Sequence, residues 1–439
     1  MAVTAREVAL QCMIAGEKQG AWSDGYLRNA IRKAKLSARD AALCTRITYG
    51  ILQNRMLLDW HIARLSTVPE GDLEPAVKNC LRMGIYQLGF LDRIPPHAAV
   101  NEAVSLTKRY ARNPRASGLV NAVLRAFDRE RESGLPQPEE ISVRYSHPQW
   151  LVEEFSGCLP KDEVESLLKT DNSLAPTQAQ VNLLKTTITS LKKEISEAGV
   201  SAVEHAWLPN CVELEDTGDL TELPAFREGC FYVQDVAARV SIMAADPQPG
   251  DRVLDACAAP GGKSFAAAIA MADQGEIISC DIHPHKMKLI MQGRDRLGLD
   301  CITPEVMDAK VFRPEWEGSF DLVIADVPCS GLGVIRKKPD IRYKDPAPLE
   351  GLSKIQLDIL SNVARYVRPG GTLLYSTCTL LWRENQGVVQ QFLEKGKSFS
   401  LSPFQLPDPI GRVEDGMLTL WPHRHGTDGF FIAKLIRAC

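Results

Sequence analysis

Two cysteines pose the chemical question. Cys329 stands in "ADVPCSGLG", directly after the apolar run "FDLVI", and Cys378 stands in "GGTLLYSTCTL", after a second apolar run. Each run reads as a buried strand, so each thiol falls where a strand gives way to a turn. A free cysteine usually packs as a small hydrophobe, and with twelve in the chain most must do so. Two thiols at neighbouring strand ends beside a carboxylate, Asp326, are a different arrangement. They face one crevice and can perform covalent catalysis.

The chemistry that needs such a pair is methyl transfer to a pyrimidine. Cytosine C5 is too weak a nucleophile to take a methyl group unaided, whereas a thiolate added at C6 makes the ring enamine-like and reactive at C5. The C5 proton must then leave and the thiolate be expelled, a task for a second thiol. A free thiol titrates near ~8.5 and is mostly protonated at neutral pH, so the nucleophile needs a positive environment or a base. An acid at the N3 edge, a role suited to Asp326, would offset charge building on the ring. Reaching C6 also requires the base to leave its stack, most cheaply from a single strand or loop.

The elements that must position these residues alternate strand and helix from about residue 231. Candidate strands are "RVLDACA", "GEIISCDI", "CITPEVMD", "FDLVIAD" and "GTLLYST", with helical runs such as "KSFAAAIAMAD" between them. That is the pattern of a doubly wound, Rossmann-like α/β sheet, whose ligands bind beyond the carboxyl ends of the strands. The first strand ends in "DACAAPGGKSFAAA", where Cys257, Ala258, Ala259, Pro260, Gly261 and Gly262 form a small-residue turn opening a helix. Such a turn lets backbone approach a ligand. The next strand ends in Asp281, placed to accept from ribose hydroxyls, and the third leads to Asp308, placed to accept from an adenine amino group. Acids at successive strand ends favour a nucleoside-bearing cofactor. The loop is neither Gly-x-Gly-x-x-Gly nor Gly-x-x-x-x-Gly-Lys-Ser/Thr, so the cofactor carries no pyrophosphate; S-adenosylmethionine fits. Lys263 either reaches its carboxylate end or simply starts the helix.

Ahead of this, residues 1–132 carry apolar residues at three- and four-residue intervals, with Ser37 as a candidate cap and "RIPPH" as a break. They read as an all-α module. "SGLPQPEE" gives a linker at 133–140, and residues 141–230 mix helical and strand character, as a small α+β connector. The catalytic stretch is 231–439.

Composition supplies limits. The chain is 45% hydrophobic and 24% charged, with no apolar run near the ~18 residues of a membrane span and no basic-then-apolar leader. Its cysteines lack Cys-x-x-Cys or Cys/His zinc spacing. A cytoplasmic protein with free thiols, no metal and no membrane is expected. The net charge of −4 lacks the basic excess of a nucleic-acid binder, yet residues 1–140 hold 20 Lys and Arg against 15 Asp and Glu. Arg28, Arg32, Lys33 and Lys35, with Arg112 and Arg115, are candidate phosphate contacts. "RKKPDIRYK" (336–344) is a second candidate surface, or else a solvated loop.

"DACAAPGGKS", "DVPCSG", "YSTCT" and "HRHGTDGFFIAKL" resemble the RNA cytosine-5 methyltransferases of the NOL1/NOP2/Sun family. The helical module, through "NEAVSLTKRYA" and "GLVNAVLR", resembles the NusB-like RNA-binding domain, and the connector is expected to be RNA-recognition-like. The resemblance implies that Cys378 is the nucleophile, that Cys329 resolves the adduct and that Asp326 contacts the base. It places the cofactor on Ala258, Pro260, Gly261, Lys263, Asp281 and Asp308, and sets Gln234 and Asp235 in the segment leading into the catalytic domain. It implies small-subunit ribosomal RNA as partner and a monomer. Val327 stands where many relatives have proline, an apolar change of little consequence. Action on tRNA or another RNA, a non-catalytic scaffold, and a methyltransferase for DNA, protein or a small molecule are the competing readings; in a DNA enzyme the Pro-Cys thiol, Cys329, would attack.

Overall fold

The computed structural model describes residues 3–19, 24–215 and 217–439. They form two compact units: Met1–Asn172 with the segment Lys338–Lys344, and Ser173–Lys337 with Asp345–Cys439.

The first unit is helical. Its elements are α1 (Ala5–Gln19), α2 (Asp24–Lys33), α3 (Ala38–Gln53), α4 (Arg55–Leu65), α5 (Pro75–Phe90), α6 (Pro96–Tyr110), α7 (Ala116–Ser133), α8 (Ile141–Arg144), α9 (Gln149–Ser156) and α10 (Lys161–Asp171). Leu10, Met13, Ile47, Leu58, Leu81, Ile85 and Phe127 meet in one core. Ser37 caps α3 as expected, accepting from Asp40 N at 3.2 Å. The apolar run from α3 into α4 reads as continuous in sequence, but the helix breaks at Asn54. There the backbone N–H and Nδ2 both donate to Gly50 O, at 3.1 and 2.8 Å. This local capping competes with the helix while leaving the apolar spacing intact, so periodicity alone does not show it.

The second unit begins with a small antiparallel sheet. β1 (Thr177–Val181), α11 (Ile188–Glu197), β2 (Ser201–Glu204), β3 (Cys211–Glu215), α12 (Pro224–Arg227) and β4 (Phe231–Val233) give strand order β2-β3-β1-β4. Of the stretch 141–230 read as one connector, the helices α8 to α10 group with the first unit and these strands with the second.

The large sheet follows, built from α13 (Val236–Ala245), β5 (Arg252–Asp255), α14 (Gly262–Ala270), β6 (Glu276–Asp281), α15 (Pro284–Leu297), β7 (Ile302–Val306), β8 (Phe320–Asp326), α16 (Leu352–Val363), β9 (Val367–Thr377) and α17 (Gln386–Lys395). Beyond them lie β10 (Phe399–Leu401), the ribbon β11 (Phe404–Gln405) and β12 (Arg412–Val413), β13 (Met417–Leu420), α18 (Pro422–His425) and β14 (Phe430–Arg437). The order is β10-β14-β9-β8-β5-β6-β7, with β13 on β14. β5 to β9 pair in parallel, while β10, β13 and β14 are antiparallel additions. Alternation along β8 explains the layers: Leu322 and Ile324 join one core with Val253, Ile277 and Ala267, and Val323 and Ala325 join the other with Leu360 and Val388. Strand order reverses between β5 and β8, so the crevice expected of such a sheet opens at their carboxyl ends.

The segment "RKKPDIRYK" is divided: Lys338 and Lys344 are exposed, whereas Arg342 turns inward. Arg342 is fully buried within the first unit. Its Nη1 donates to Asn172 Oδ1 at 2.7 Å, Gln53 O at 3.3 Å and Ser146 O at 3.3 Å, and its Nη2 to Asp171 O at 3.3 Å. One guanidinium thus serves the carboxyl ends of α3, α8 and α10, where orphan carbonyls and the helix dipole favour a cation. Tyr343 Oη adds a bond to Leu52 O at 2.9 Å. Arg342→Ala strands several buried acceptors, at ~1–3 kcal/mol each. Thermal unfolding followed by circular dichroism should show the helical unit losing on the order of 3 kcal/mol; an unchanged Tm contradicts this.

Candidate active site

Parallel pairing of β8 with β9 sets Asp326 opposite Ser376. The chain leaves these two strands side by side, and Cys329 Sγ lies 3.2 Å from Cys378 Sγ. The two thiols therefore lie side by side beyond adjacent strand ends. Asp326 is fixed between them and the cofactor loop: its Oδ1 accepts from Ser376 Oγ at 2.8 Å and its Oδ2 from Lys263 Nζ at 2.6 Å. Below the thiols, Ser330 Oγ and Thr379 Oγ1 are 2.7 Å apart, and Gly333 N donates to Cys378 O at 2.9 Å. A Cβ on Gly333 would fall 1.9 Å from Gly429 O. Only glycine permits that crossing.

The surroundings of the two thiols differ. The bond with Cys329 lowers the Cys378 pKa from the ordinary thiol value, against burial and the nearby Asp326. Cys329 is correspondingly raised well above its ordinary value by the same bond and by burial. Lys263 lies on the Cys378 side and favours its thiolate, whereas Glu384 lies on the Cys329 side and disfavours ionisation there. Cys257, also near a strand end, is pushed up by burial and by Asp255, Asp326 and Asp281. Of these thiols, Cys378 is the one whose surroundings favour the thiolate.

The cofactor loop runs Cys257 to Lys263 into α14. Gly261 has φ 112°, and a Cβ there would meet the Phe265 ring at 2.5 Å. Packing beneath the loop thus accounts for this glycine. The ligand signal lies in the acids. Asp281 ends β6 with Oδ1 held by His283 N at 3.0 Å, and Asp308 follows β7 with Oδ1 held by Lys310 N at 2.9 Å. Both carboxylates end at the carboxyl edge of the sheet, as acceptors suited to hydroxyl and amino groups. Lys286 Nζ also approaches Asp281 Oδ2 at 3.4 Å, and Ile282, half exposed beside Asp281, offers an apolar surface for a base. This donor set fits S-adenosylmethionine. Asp255 is different: fully buried, it accepts from Ser264 Oγ at 2.7 Å, and burial pushes it up to about 7. It ties β5 to α14 and does not face a ligand.

Lys263 is engaged with Asp326 and lies 5.0 Å from the Phe430 ring centroid, so it belongs to the Asp326 carboxylate as much as to the loop opening α14. Sequence reasoning missed Glu384. Its buried Oε2 accepts from Ser330 N at 2.9 Å and Gln356 Nε2 at 2.8 Å, anchoring the Cys329 turn. No motif distinguishes it from the charged residues beside it in "WREN". Arg28, Arg32, Lys33, Lys35, Arg112 and Arg115 are all exposed, the first three on α2 and the last two at the turn before α7. Among the described residues no group of His, Cys, Asp and Glu is arranged to hold a metal, and no helix is long and apolar enough to cross a membrane.

Comparisons with known proteins agree along the whole chain. Residues 242–436 match the family described as 16S rRNA methyltransferase RsmB/F, residues 3–129 match the NusB family, and residues 147–221 match the RsmF/B-like ferredoxin-like domain. A probable ribosomal RNA small subunit methyltransferase B of Synechocystis is 35% identical, covering 99% of this chain and 100% of the relative. Its counterpart from Bacillus subtilis is 36% identical over 98% of each. Among solved structures, that of PH0851 aligns with a TM-score of 0.80 at 29% identity, over 98% of both chains. With full-length relatives of this kind behind the converging strand ends, the chain belongs to the RsmB/F family of 16S ribosomal RNA methyltransferases.

Proposed function

We propose that the protein methylates C5 of a cytosine in small-subunit ribosomal RNA, with Cys378 forming a transient bond to C6. The cofactor is S-adenosylmethionine, which when bound supplies an electrophilic methyl group. The observation that carries the reading is the 3.2 Å contact between Cys378 and Cys329 beside Asp326 at adjacent strand ends.

These contacts support the following roles. Lys263 and the Cys329 S–H stabilise the Cys378 thiolate, which adds to C6 of the extruded ring. Asp326, held by Lys263 and Ser376, meets the base edge and orients it by accepting from the exocyclic amino group, and the Lys263 ammonium offsets the negative charge developing on the ring. After methyl transfer the C5 proton passes to water, its bonding electrons re-form the C5–C6 double bond and the C6–S bond breaks to expel Cys378 as a thiolate, which the Cys329 S–H, 3.2 Å away, stabilises as it leaves. Asp281 and Asp308 receive the ribose and adenine of the cofactor. The backbone from Cys257 to Gly262 lines its path. The domain plan is 1–132 for RNA binding, 141–230 for recognition and 231–439 for catalysis, in a cytoplasmic monomer. Arg28, Arg32, Lys33, Lys35, Arg112 and Arg115 contact phosphates.

Three outcomes test this. Cys378→Ser should abolish trapping of a covalent complex on RNA containing 5-fluorocytidine, while Cys329→Ser should accumulate the complex with natural RNA. The reverse pattern would assign attack to Cys329 and overturn the scheme. The pH dependence has a definite sign: removing the Cys329 S–H donor leaves the Cys378 thiolate less stabilised, so its pKa rises. In Cys329→Ala the single-turnover rate of adduct formation should therefore shift to higher pH, and a shift to lower pH contradicts the assignment. Neutralising the six basic residues should weaken binding of the ribosomal RNA and flatten its salt dependence. The log–log slope should fall by about 0.7–0.9 for each phosphate no longer neutralised, as read by filter binding across salt; an unchanged slope excludes these residues.

A further inference from the structure

Lys337 ends the turn that carries Cys329, and its ammonium is engaged by two carboxylates. Its Nζ donates to Asp235 Oδ2 at 2.6 Å and to Asp428 Oδ2 at 2.8 Å. The two acids are shielded, with side chains 12% and 8% exposed. They are also joined directly, since Asp428 N donates to Asp235 Oδ1 at 3.2 Å. Asp235 in turn caps α13 by accepting from Ala237 N at 2.8 Å. One ammonium thus ties together three stretches distant in sequence: the start of α13, the turn after Cys329 and the "TDGFF" segment entering β14.

This tie leads directly to the thiols. Gly429, next to Asp428, donates its N–H to Gly333 O at 2.8 Å, and Gly333 donates to Cys378 O at 2.9 Å. The turn therefore meets the backbone of Cys378 at one end and is anchored by Lys337 at the other. Asp428 also faces Cys378 electrostatically. Burial and Asp235 push Asp428 up to about 7, and Lys337 opposes that rise. Two shielded carboxylates left without a positive partner repel, and the segments that carry them must move apart or take up protons.

We propose that Lys337 is a positioning residue for the thiol pair: its ammonium, bridging Asp235 and Asp428, locks the turn carrying Cys329 against the backbone carrying Cys378. The proposal rests on the covalent scheme above for its effect on rate, but the apposition of the two thiols is measurable without it. The clamp acts through the turn and touches no reacting atom. Its loss should lower kcat and leave the KM for S-adenosylmethionine unchanged, because the acids that meet the cofactor lie at the ends of β6 and β7.

The test uses the full-length protein with Lys337→Met, Lys337→Arg and Asp428→Asn. Thiol apposition is read by the rate at which diamide, reduced to the hydrazine as it takes up two electrons and two thiol protons, links Cys329 to Cys378; peptide mass spectrometry after acid quench reports the link. Lys337→Met should slow this linkage and lower kcat on the order of 10- to 100-fold, as for a small misplacement of reacting groups, with Lys337→Arg recovering part of both. Where Lys337→Met does not fold, Asp428→Asn, which keeps the volume and removes one bond to the ammonium, should slow the linkage in the same sense. Linkage at the wild-type rate in a folded variant overturns the clamp. Failure of the wild-type protein to trap 5-fluorocytidine RNA would instead defeat the covalent scheme, and the diamide arm would still decide the clamp.

Discussion

Everything in the site depends on the parallel pairing of β8 with β9. Register Asp326 to Ser376 is what delivers Cys329 and Cys378, 49 residues apart in sequence, to a sulfur separation of 3.2 Å. A slip of one residue would turn the alternation along β8 over and send Leu322 and Ile324 to the wrong core. The hydrophobic layers that hold the sheet thus also fix the spacing of the thiols. The chemistry draws its accuracy from packing well away from the sulfur atoms.

Electrostatics then differentiates two chemically identical groups. Beyond the bond between them, Lys263 on one side and Glu384 on the other give the thiols opposite tendencies. The same lysine holds Asp326, so the cation that favours the Cys378 thiolate also orients the neighbouring carboxylate. Asp326 is thereby kept from approaching Cys378 without a compensating charge. A single helix start, α14, supplies both effects.

Much of this was legible in the sequence. The five parallel strands announced themselves as apolar runs with acids or cysteines at their ends, and strand-end position alone brought Cys329, Cys378, Asp326, Asp281 and Asp308 to one edge. What stayed hidden has physical causes. β10 and β13 are short, and β14 carries a lysine within its apolar run, so their antiparallel pairing rests on partners supplied by β9. Asp255 looked like its neighbours in sequence but turns inward to Ser264, a choice made by tertiary packing. Glu384, Lys337 and Arg342 sit in charged stretches, and composition assigns such stretches to solvent. Their burial is offset by partners remote in sequence, which no local pattern reveals.

The excursion of Lys338–Lys344 into the helical unit has a consequence for biosynthesis. Domains commonly fold from the amino terminus as the chain emerges from the ribosome. Here the carboxyl ends of α3, α8 and α10 receive their guanidinium only when Arg342 has been made, well after the rest of that unit. The helical unit must wait, incomplete, through synthesis of the strands up to β8, and its final closure is coupled in time to the emergence of Cys329.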